Sequence, residues 1–235
     1  LKRRVIAAPP SVTARVLPSG FGYLRLSGWV GSLTPRVLAG IAEMKDTPGL
    51  IIDLRNNGGG SADMVERVAR EFFAGDQPTG TRLTRTGKPI DVAWGLYTLA
   101  PLESKLRGVG TAAYTKPLVV LVNEASGSAS ELFSAGLQDL GRARVVGTQT
   151  CGCLLAYFGY AEVPGGGGLA YSELAFRTVK GRAIEGVGVV PDVPVPLTVG
   201  DLRENRDRAL EAAEKELRAA AAAKAGLSSA ERPPG

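Results

Sequence analysis

Leu118-Val119-Val120-Leu121-Val122-Asn123-Glu124-Ala125-Ser126-Gly127-Ser128-Ala129-Ser130-Glu131 passes from an unbroken apolar run into a serine-rich turn, and a helical pattern then continues to Leu140. A short continuous apolar run bounded by Pro117 and a turn predicts a strand buried on both faces. A hydroxyl therefore falls where a strand hands over to a helix. There the helix leaves its first backbone N–H groups unpaired and carries partial positive charge. A serine nucleophile and an oxyanion site can coexist at such a junction. Ser128-x-x-Glu131 is equally a helix capping box, which accounts for the same residues without chemistry.

The plan recurs earlier in the chain. Leu50-Ile51-Ile52-Asp53-Leu54 ends in Arg55-Asn56-Asn57-Gly58-Gly59-Gly60, and a helix follows with the stripe Met64, Val65, Val68 and Phe72 and with Ser61 or Asp63 as its cap. Arg144-Val145-Val146-Gly147 reads as a third short strand. Strand, helix, strand in this order implies right-handed crossovers and an α/β fold, a largely parallel sheet flanked by helices. Ligands of such sheets bind beyond the carboxyl ends of the strands, where both turns fall.

Nearer the amino end, Val12–Val16 and Gly22–Leu26 alternate on either side of Pro18-Ser19-Gly20 and predict a hairpin within residues 10–30. Thr34-Pro35 opens a helix carried by Val37, Leu38, Ile41 and Met44. Residues 154–163 and 169–179 predict a long antiparallel pair joined by Pro164-Gly165-Gly166-Gly167-Gly168. Residues 76–113, with the isolated aromatics Trp94 and Tyr97, predict long loops over the site. From Asp201 onward, Leu202, Leu210, Ala213 and Leu217 mark a thinly apolar helix, expected on the surface or against a partner such as a second copy of the chain. A frayed tail is expected over 227–235. The chain thus divides into a core, 1–200, and a C-terminal helix with its tail, 201–235.

The 235 residues are 44% hydrophobic and 22% charged, the balance of a globular protein of one large or two small domains. A net charge of +5 is scattered, with no basic block or aromatic-basic alternation, which argues against nucleic acid as a partner. Apolar runs fall far short of the roughly 20 residues that span a bilayer, so no membrane span is expected. Residue 1 is Leu, and Lys2-Arg3-Arg4-Val5-Ile6 reads as the inside of a protein, so an upstream segment is expected. The pair Cys151 and Cys153, in a chain without His, is too small for a zinc site, and a bridge across Cys-Gly-Cys is expected to be strained; free thiols are expected.

Five motifs occur in order: Ile51-Ile52-Asp53-Leu54-Arg55-Asn56-Asn57-Gly58-Gly59-Gly60, Val120 through Glu131, Gly136-Leu137-Gln138-Asp139, Val146-Gly147-Thr148-Gln149-Thr150, and Gly186-Val187-Gly188-Val189-Val190-Pro191-Asp192. Together they resemble the signatures of the C-terminal processing, or tail-specific, protease family, over a span from about Val12 to the final helix. The resemblance implies a ClpP/crotonase-like core with a mixed, largely parallel sheet. It implies a serine endopeptidase that cleaves polypeptides near nonpolar C-termini through an acyl-enzyme, without a cofactor, in the bacterial cell envelope, periplasmic or secreted. It also implies that the helical segment and PDZ peptide-binding domain, which family members carry upstream of the core, lie before Leu1.

Carried over residue by residue, the resemblance puts the nucleophile at Ser128 and the oxyanion hole at the backbone N–H groups of Ala129 and Gly59, where a glycine lets the backbone approach the substrate closely. Asp139, eleven residues after Ser128, matches an aspartate that supports the active site; it reads equally as a surface acid at a helix end. The departure lies twenty-five residues after Ser128, where the family places a general-base lysine and this chain has Cys153. A buried lysine can be neutral near working pH, whereas a thiol must first ionise, and neither Lys nor Arg adjoins Cys153 to favour that. A small buried hydrophobe is the other reading of Cys153. Tricorn-like relatives use a His from before the PDZ domain with a Glu near the position of Glu185, which reads otherwise as a solvated loop carboxylate. Lys180 is a further candidate base. Beside the enzyme stands a second reading, a silent peptide-binding or scaffold module whose base has been lost; a crotonase-like acyl-CoA enzyme, which needs no serine, fits the 123–131 motif poorly.

Overall fold

A computed structural model describes residues 9–84, 86–89, 91–93, 96–98, 105–154, 157–172 and 174–230. Six strands form the main sheet: β1 (Val12–Val16), β2 (Gly22–Leu26), β3 (Leu50–Asp53), β4 (Leu118–Val122), β5 (Arg144–Gly147) and β6 (Val193–Pro194), side by side in chain order. β1 and β2 form the expected antiparallel hairpin, with Val12 opposite Leu26 and Val16 opposite Gly22. Every later pair is parallel, and the register sets Leu50 beside Leu118 and Asp53 beside Leu121, so β3 and β4 end level with each other. That level ending is what brings their two turns together.

The apolar runs divide by alternation between two faces. Leu24, Ile52, Val120 and Val122 point to one face, where α1 (Thr34–Glu43), α2 (Ala62–Ala69) and α3 (Ala129–Asp139) supply Val37, Ile41, Met64, Val68, Phe133 and Leu137. Trp29 tilts against Phe133 with ring centroids 5.1 Å apart. Tyr23, Ile51, Val119, Leu121 and Val146 point to the other face, and α5 (Arg208–Ala230), which follows the short α4 (Val199–Arg203), covers them with Ala213 and Leu217. The C-terminal helix is therefore a core element, which corrects the expectation of a surface helix. Its stripe is narrow because this face already carries large side chains, and one Ala and one Leu, both 0% exposed, complete it. The helix also extends to Ala230 through the start of the expected tail; 231–235 lie outside the described residues.

Two further expectations are corrected. The long antiparallel pair is shorter than expected: Tyr157–Val163 pairs with Gly167–Ser172, and Leu174–Arg177 pairs instead with Thr81–Thr84. Phe176 packs against the core beside α2 and α3, which draws that strand away from the hairpin. Within 76–113 there are short strands as well as loops, with Gln77–Pro78 against Lys105–Leu106 and Asp91–Ala93 against Leu96–Thr98. Trp94 and residues 1–8 lie outside the described residues.

A charged cluster ties α5 to the end of β3. Asp53, 0% exposed, accepts from the Tyr23 hydroxyl at 2.6 Å and from Arg55 Nη2 at 2.6 Å and Nε at 2.9 Å. Arg55 reaches on to Asp207 with paired bonds of 2.8 and 2.9 Å. Burial, together with the Asp53 charge and hydrogen bond, pushes the Tyr23 phenol up to about 12. Burial would raise the Asp207 carboxyl, but the hydrogen bond from Arg55, those from the Leu210 and Ala209 N–H groups, and the Arg55 charge hold it below the usual carboxylate range.

Leu217→Ala, which empties the closed second face, should cost about 2 to 5 kcal/mol of stability, read as a lower urea midpoint at unchanged slope. Because the Asp207 carboxyl is depressed in the folded chain, its contribution is complete above the unfolded value of about 3.9 and lost as pH falls through the lower folded value. Asp207→Asn should accordingly be less stable than the parent at pH 6, with the gap closing below about pH 4 in urea titrations across that range.

Candidate active site

The site is assembled where β3 and β4 end. After β4, Ser126 Oγ donates to the Leu54 carbonyl at 2.8 Å and accepts from Asn123 N–H at 2.9 Å, which turns the chain back over β3. Across the gap, the side-chain amides of Asn56 and Asn123 bond at 2.9 Å, and Asn56 N–H donates to Asn123 Oδ1 at 2.9 Å. Asn57, 0% exposed, is the hub. Its Nδ2 donates to the Leu26 carbonyl at 2.9 Å, and its own carbonyl accepts from Gly127 N–H at 3.0 Å and Ser130 Oγ at 2.8 Å. Ser130 Oγ in turn accepts from Trp29 Nε1 at 2.9 Å. Three stretches distant in sequence are thereby fixed to one another through buried, satisfied polar groups.

These ties hold Ser128 in an unusual backbone conformation, φ 48° and ψ −111°, at the residue preceding α3. A non-glycine residue in such a region costs on the order of 1 to 3 kcal/mol and persists only where its surroundings dictate it. Gly59, at φ +113°, lies directly against it: a side chain there would begin 2.6 Å from Ser128 Cβ and 3.0 Å from Ala129 N. The structure thus brings Gly59, Ser128 and Ala129 together, as the sequence reading expects. The Gly59 N–H, however, donates to Asn57 Oδ1 at 3.0 Å.

Glu131 is the site residue that the sequence reading missed. The Ser-x-x-Glu spacing announces its bond to Ser128 N–H, present at 3.0 Å, and so the capping box and the candidate nucleophile are the same turn. Nothing in the spacing announces its other partners. Its carboxylate, 0% exposed, also accepts from Thr150 Oγ1 at 2.6 Å, Gly152 N–H at 2.7 Å and Cys153 N–H at 3.1 Å. Thr150 in turn accepts from Val189 N–H at 2.6 Å. One carboxylate therefore joins the serine turn to the 150–153 loop.

On that loop the expectation of free thiols is corrected: Cys151 and Cys153 form a disulfide. Gly152, at φ +68°, doubles the chain back so that the two Cα atoms lie 5.2 Å apart, within the span a disulfide bridges. Cys153 is half-buried and Cys151 exposed. A side chain at Gly127 would begin 2.9 Å from Cys153 Sγ, so the bridge rests on the residue before Ser128. In this state Cys153 has no thiol to ionise.

The remaining candidates lie elsewhere or further out. Asp139 closes α3 at the end opposite Ser128, about 16 Å along the axis. It accepts from Lys180 N–H at 3.0 Å and pairs with Arg182, which also reaches Gln138 at 3.0 Å. Burial would raise its carboxyl, but hydrogen bonds from Thr178, Lys180 and Arg182 and the Arg182 charge hold it below the usual range. It clamps the 178–182 turn and is not a neighbour of the serine. Lys180 is exposed. Glu185 is exposed on the 184–188 turn, whose Gly186 N–H donates to the Gly152 carbonyl at 2.7 Å, so its turn does border the disulfide loop. Among the described residues no group of three or more His, Cys, Asp or Glu could hold a metal ion.

An apolar cleft of about 140 Å³ opens between α2 and α3, lined by Val65, Leu106, Leu132, Phe133, Leu137 and Phe176 among others. It runs along the same helix that Ser128 starts. The strained serine and the N–H at the helix start are the parts needed for attack on a carbonyl and stabilisation of the oxyanion, and the cleft lies further along the same helix, where Leu132 to Leu140 line it.

Residues 20–195 match peptidase family S41. A carboxyl-terminal-processing protease of Picosynechococcus is 31% identical over 177 residues, covering 74% of this chain and 39% of that protein. A carboxy-terminal-processing protease of Bartonella bacilliformis is 31% identical over 209 residues, covering 84% and 43%. The chain thus spans about two fifths of the length of these curated relatives. A solved photosystem II D1 C-terminal processing protease superposes with a TM-score of 0.61 at 27% identity, covering 83% of this chain and 50% of that one. With a matched span that reaches from the β1–β2 turn to just beyond β6 and a largely parallel sheet shared with a processing protease, this chain belongs to peptidase family S41.

Proposed function

We propose that this chain is the catalytic core of a serine endopeptidase that acylates Ser128 and cleaves polypeptides near nonpolar C-termini. The observation that carries the reading is the strained Ser128 backbone, fixed from both sides by Glu131 and by the Asn57 carbonyl on Gly127. Ser128 Oγ adds to the scissile carbonyl and the Ala129 N–H takes up charge on its oxygen. Gly59 N–H joins once it leaves Asn57 Oδ1. The acyl-enzyme is then hydrolysed. The apolar cleft beside α3 favours nonpolar substrate side chains. The Cys151–Cys153 bridge favours an oxidising compartment such as the bacterial envelope.

The chemistry turns on the proton acceptor. Cys153 stands where the family has lysine, and in the disulfide it cannot accept a proton. The turn that carries Glu185 borders the loop, which favours Glu185 as the support of a histidine supplied from outside residues 1–235. The disulfide also favours a second reading, a peptide-binding module that keeps the groove and has lost the base.

A fluorophosphonate probe separates the two. The serine reading expects covalent labelling that Ser128→Ala abolishes and that Cys153→Lys increases by about a hundredfold or more, the contribution of a positioned general base. No labelling of either the parent or Cys153→Lys, with unchanged thermal unfolding, would leave the peptide-binding module.

A further inference from the structure

We propose that Cys151-Gly152-Cys153 is a reversible dithiol–disulfide site, reduced by a small or protein dithiol, whose state switches the proton acceptor of Ser128 on and off; the inference rests on the serine reading above. Three observations support it. The bridge is reachable, since Cys151 is exposed. It stands against the nucleophile turn, with Cys153 Sγ over Gly127. Its loop is also held independently of the sulfur–sulfur bond. Cys151 N–H donates to the Ser126 carbonyl at 3.0 Å, Gly152 and Cys153 N–H donate to Glu131, and the Gly152 carbonyl accepts from Gly186 N–H at 2.7 Å. A bridge between residues two apart closes a very short loop, where the entropic gain of cross-linking is small. A staple in so short and well bonded a loop contributes little to folding, which leaves its chemistry as its use.

A thiolate of the dithiol attacks Cys151 Sγ, forms a mixed disulfide and expels Cys153 as a thiolate. The second thiol loses its proton and attacks its partner's sulfur in the mixed disulfide, expelling Cys151, which takes up a proton. Two electrons pass to the chain and the dithiol leaves as its own disulfide. Because the hydrogen-bonded loop stays in place, Cys153 Sγ remains beside the serine turn, where the fraction present as thiolate can take the Ser128 proton as Oγ adds to a carbonyl and hand it to the departing amine. An equilibrium with disulfide closes the site again.

The test follows the thiols and the serine separately, with dithiothreitol in its reduced and oxidised forms as the redox probe. Alkylation and intact mass should show two thiols released together and reclosed on oxidation. Fluorophosphonate labelling should rise at least tenfold on reduction and fall on reoxidation. Cys151→Ser, with Cys153 free, should label at the reduced rate in either buffer, and Cys153→Ser should label slowly in both. Thiols that cannot be released, labelling that ignores their release, or Cys153→Ser labelling as fast as the reduced parent would each overturn the switch. Cys153→Lys discriminates the two levels: if it labels while reduction of the parent changes nothing, the switch alone fails; if neither labels, the serine reading fails and the switch with it.

Discussion

A buried carboxylate with four donors holds this site together. Taking an acid out of water costs several kcal/mol unless its oxygens are satisfied. Glu131 meets that condition with the N–H groups of Ser128, Gly152 and Cys153 and the Thr150 hydroxyl. The consequence is geometric more than energetic. The serine turn follows β4 and the cysteine loop follows β5, and one side chain on the first turn of α3 sets the distance between them. Asn57 does the corresponding work on the other flank, with its backbone carbonyl on Gly127 and Ser130 and its side chain on β2. Between these two anchors Ser128 has little choice of conformation, which is how a strained φ persists there.

Much of this was legible in the chain, for identifiable reasons. Leu50–Asp53 and Leu118–Val122 declare themselves because strands covered on both faces must be continuously apolar, and the glycine and serine turns after them must then lie at the carboxyl edge. The start of α2 could be read from Ser61, whose hydroxyl accepts from Met64 N–H as a cap should. Ser128, Ala129 and Gly59 converge as the motifs suggest. What could not be read is what depends on third parties. The capping spacing names one of the partners of Glu131 and is silent on the three found around position 150. The Cys-Gly-Cys bridge depends on a left-handed Gly152 that spacing alone does not disclose. Asp139 reads from the sequence both as a support of the active site and as an acid at a helix end; its partners, Lys180 N–H and Arg182 on a turn about forty residues away, are what the motif cannot name.

The reading of α5 failed for a different reason. A helix dominated by Ala, Glu, Lys and Arg shows a weak apolar stripe, and the usual inference from such a stripe is exposure. That inference ignores the shape of the receiving surface. Here Phe21, Tyr23, Ile51 and Leu121 already fill most of the second face, and small residues are what allow a helix to lie close to it. The paired bonds from Arg55 to Asp207 then fix where the helix begins.

The order of strands in the main sheet matches their order in the chain. During synthesis each strand that emerges can therefore add to an edge already formed, and α1, α2 and α3 arrive in time to cover one side as it grows. The opposite side has no such escort. Its Tyr23, Ile51, Val119, Leu121 and Val146 wait for Ala213 and Leu217, which follow all six strands of the sheet in the chain, so an apolar sheet face stays bare from the time its strands pair until α5 is made. The nascent chain is most exposed to aggregation in the interval before α5 appears, and a chaperone that shields that one face until then would serve it best.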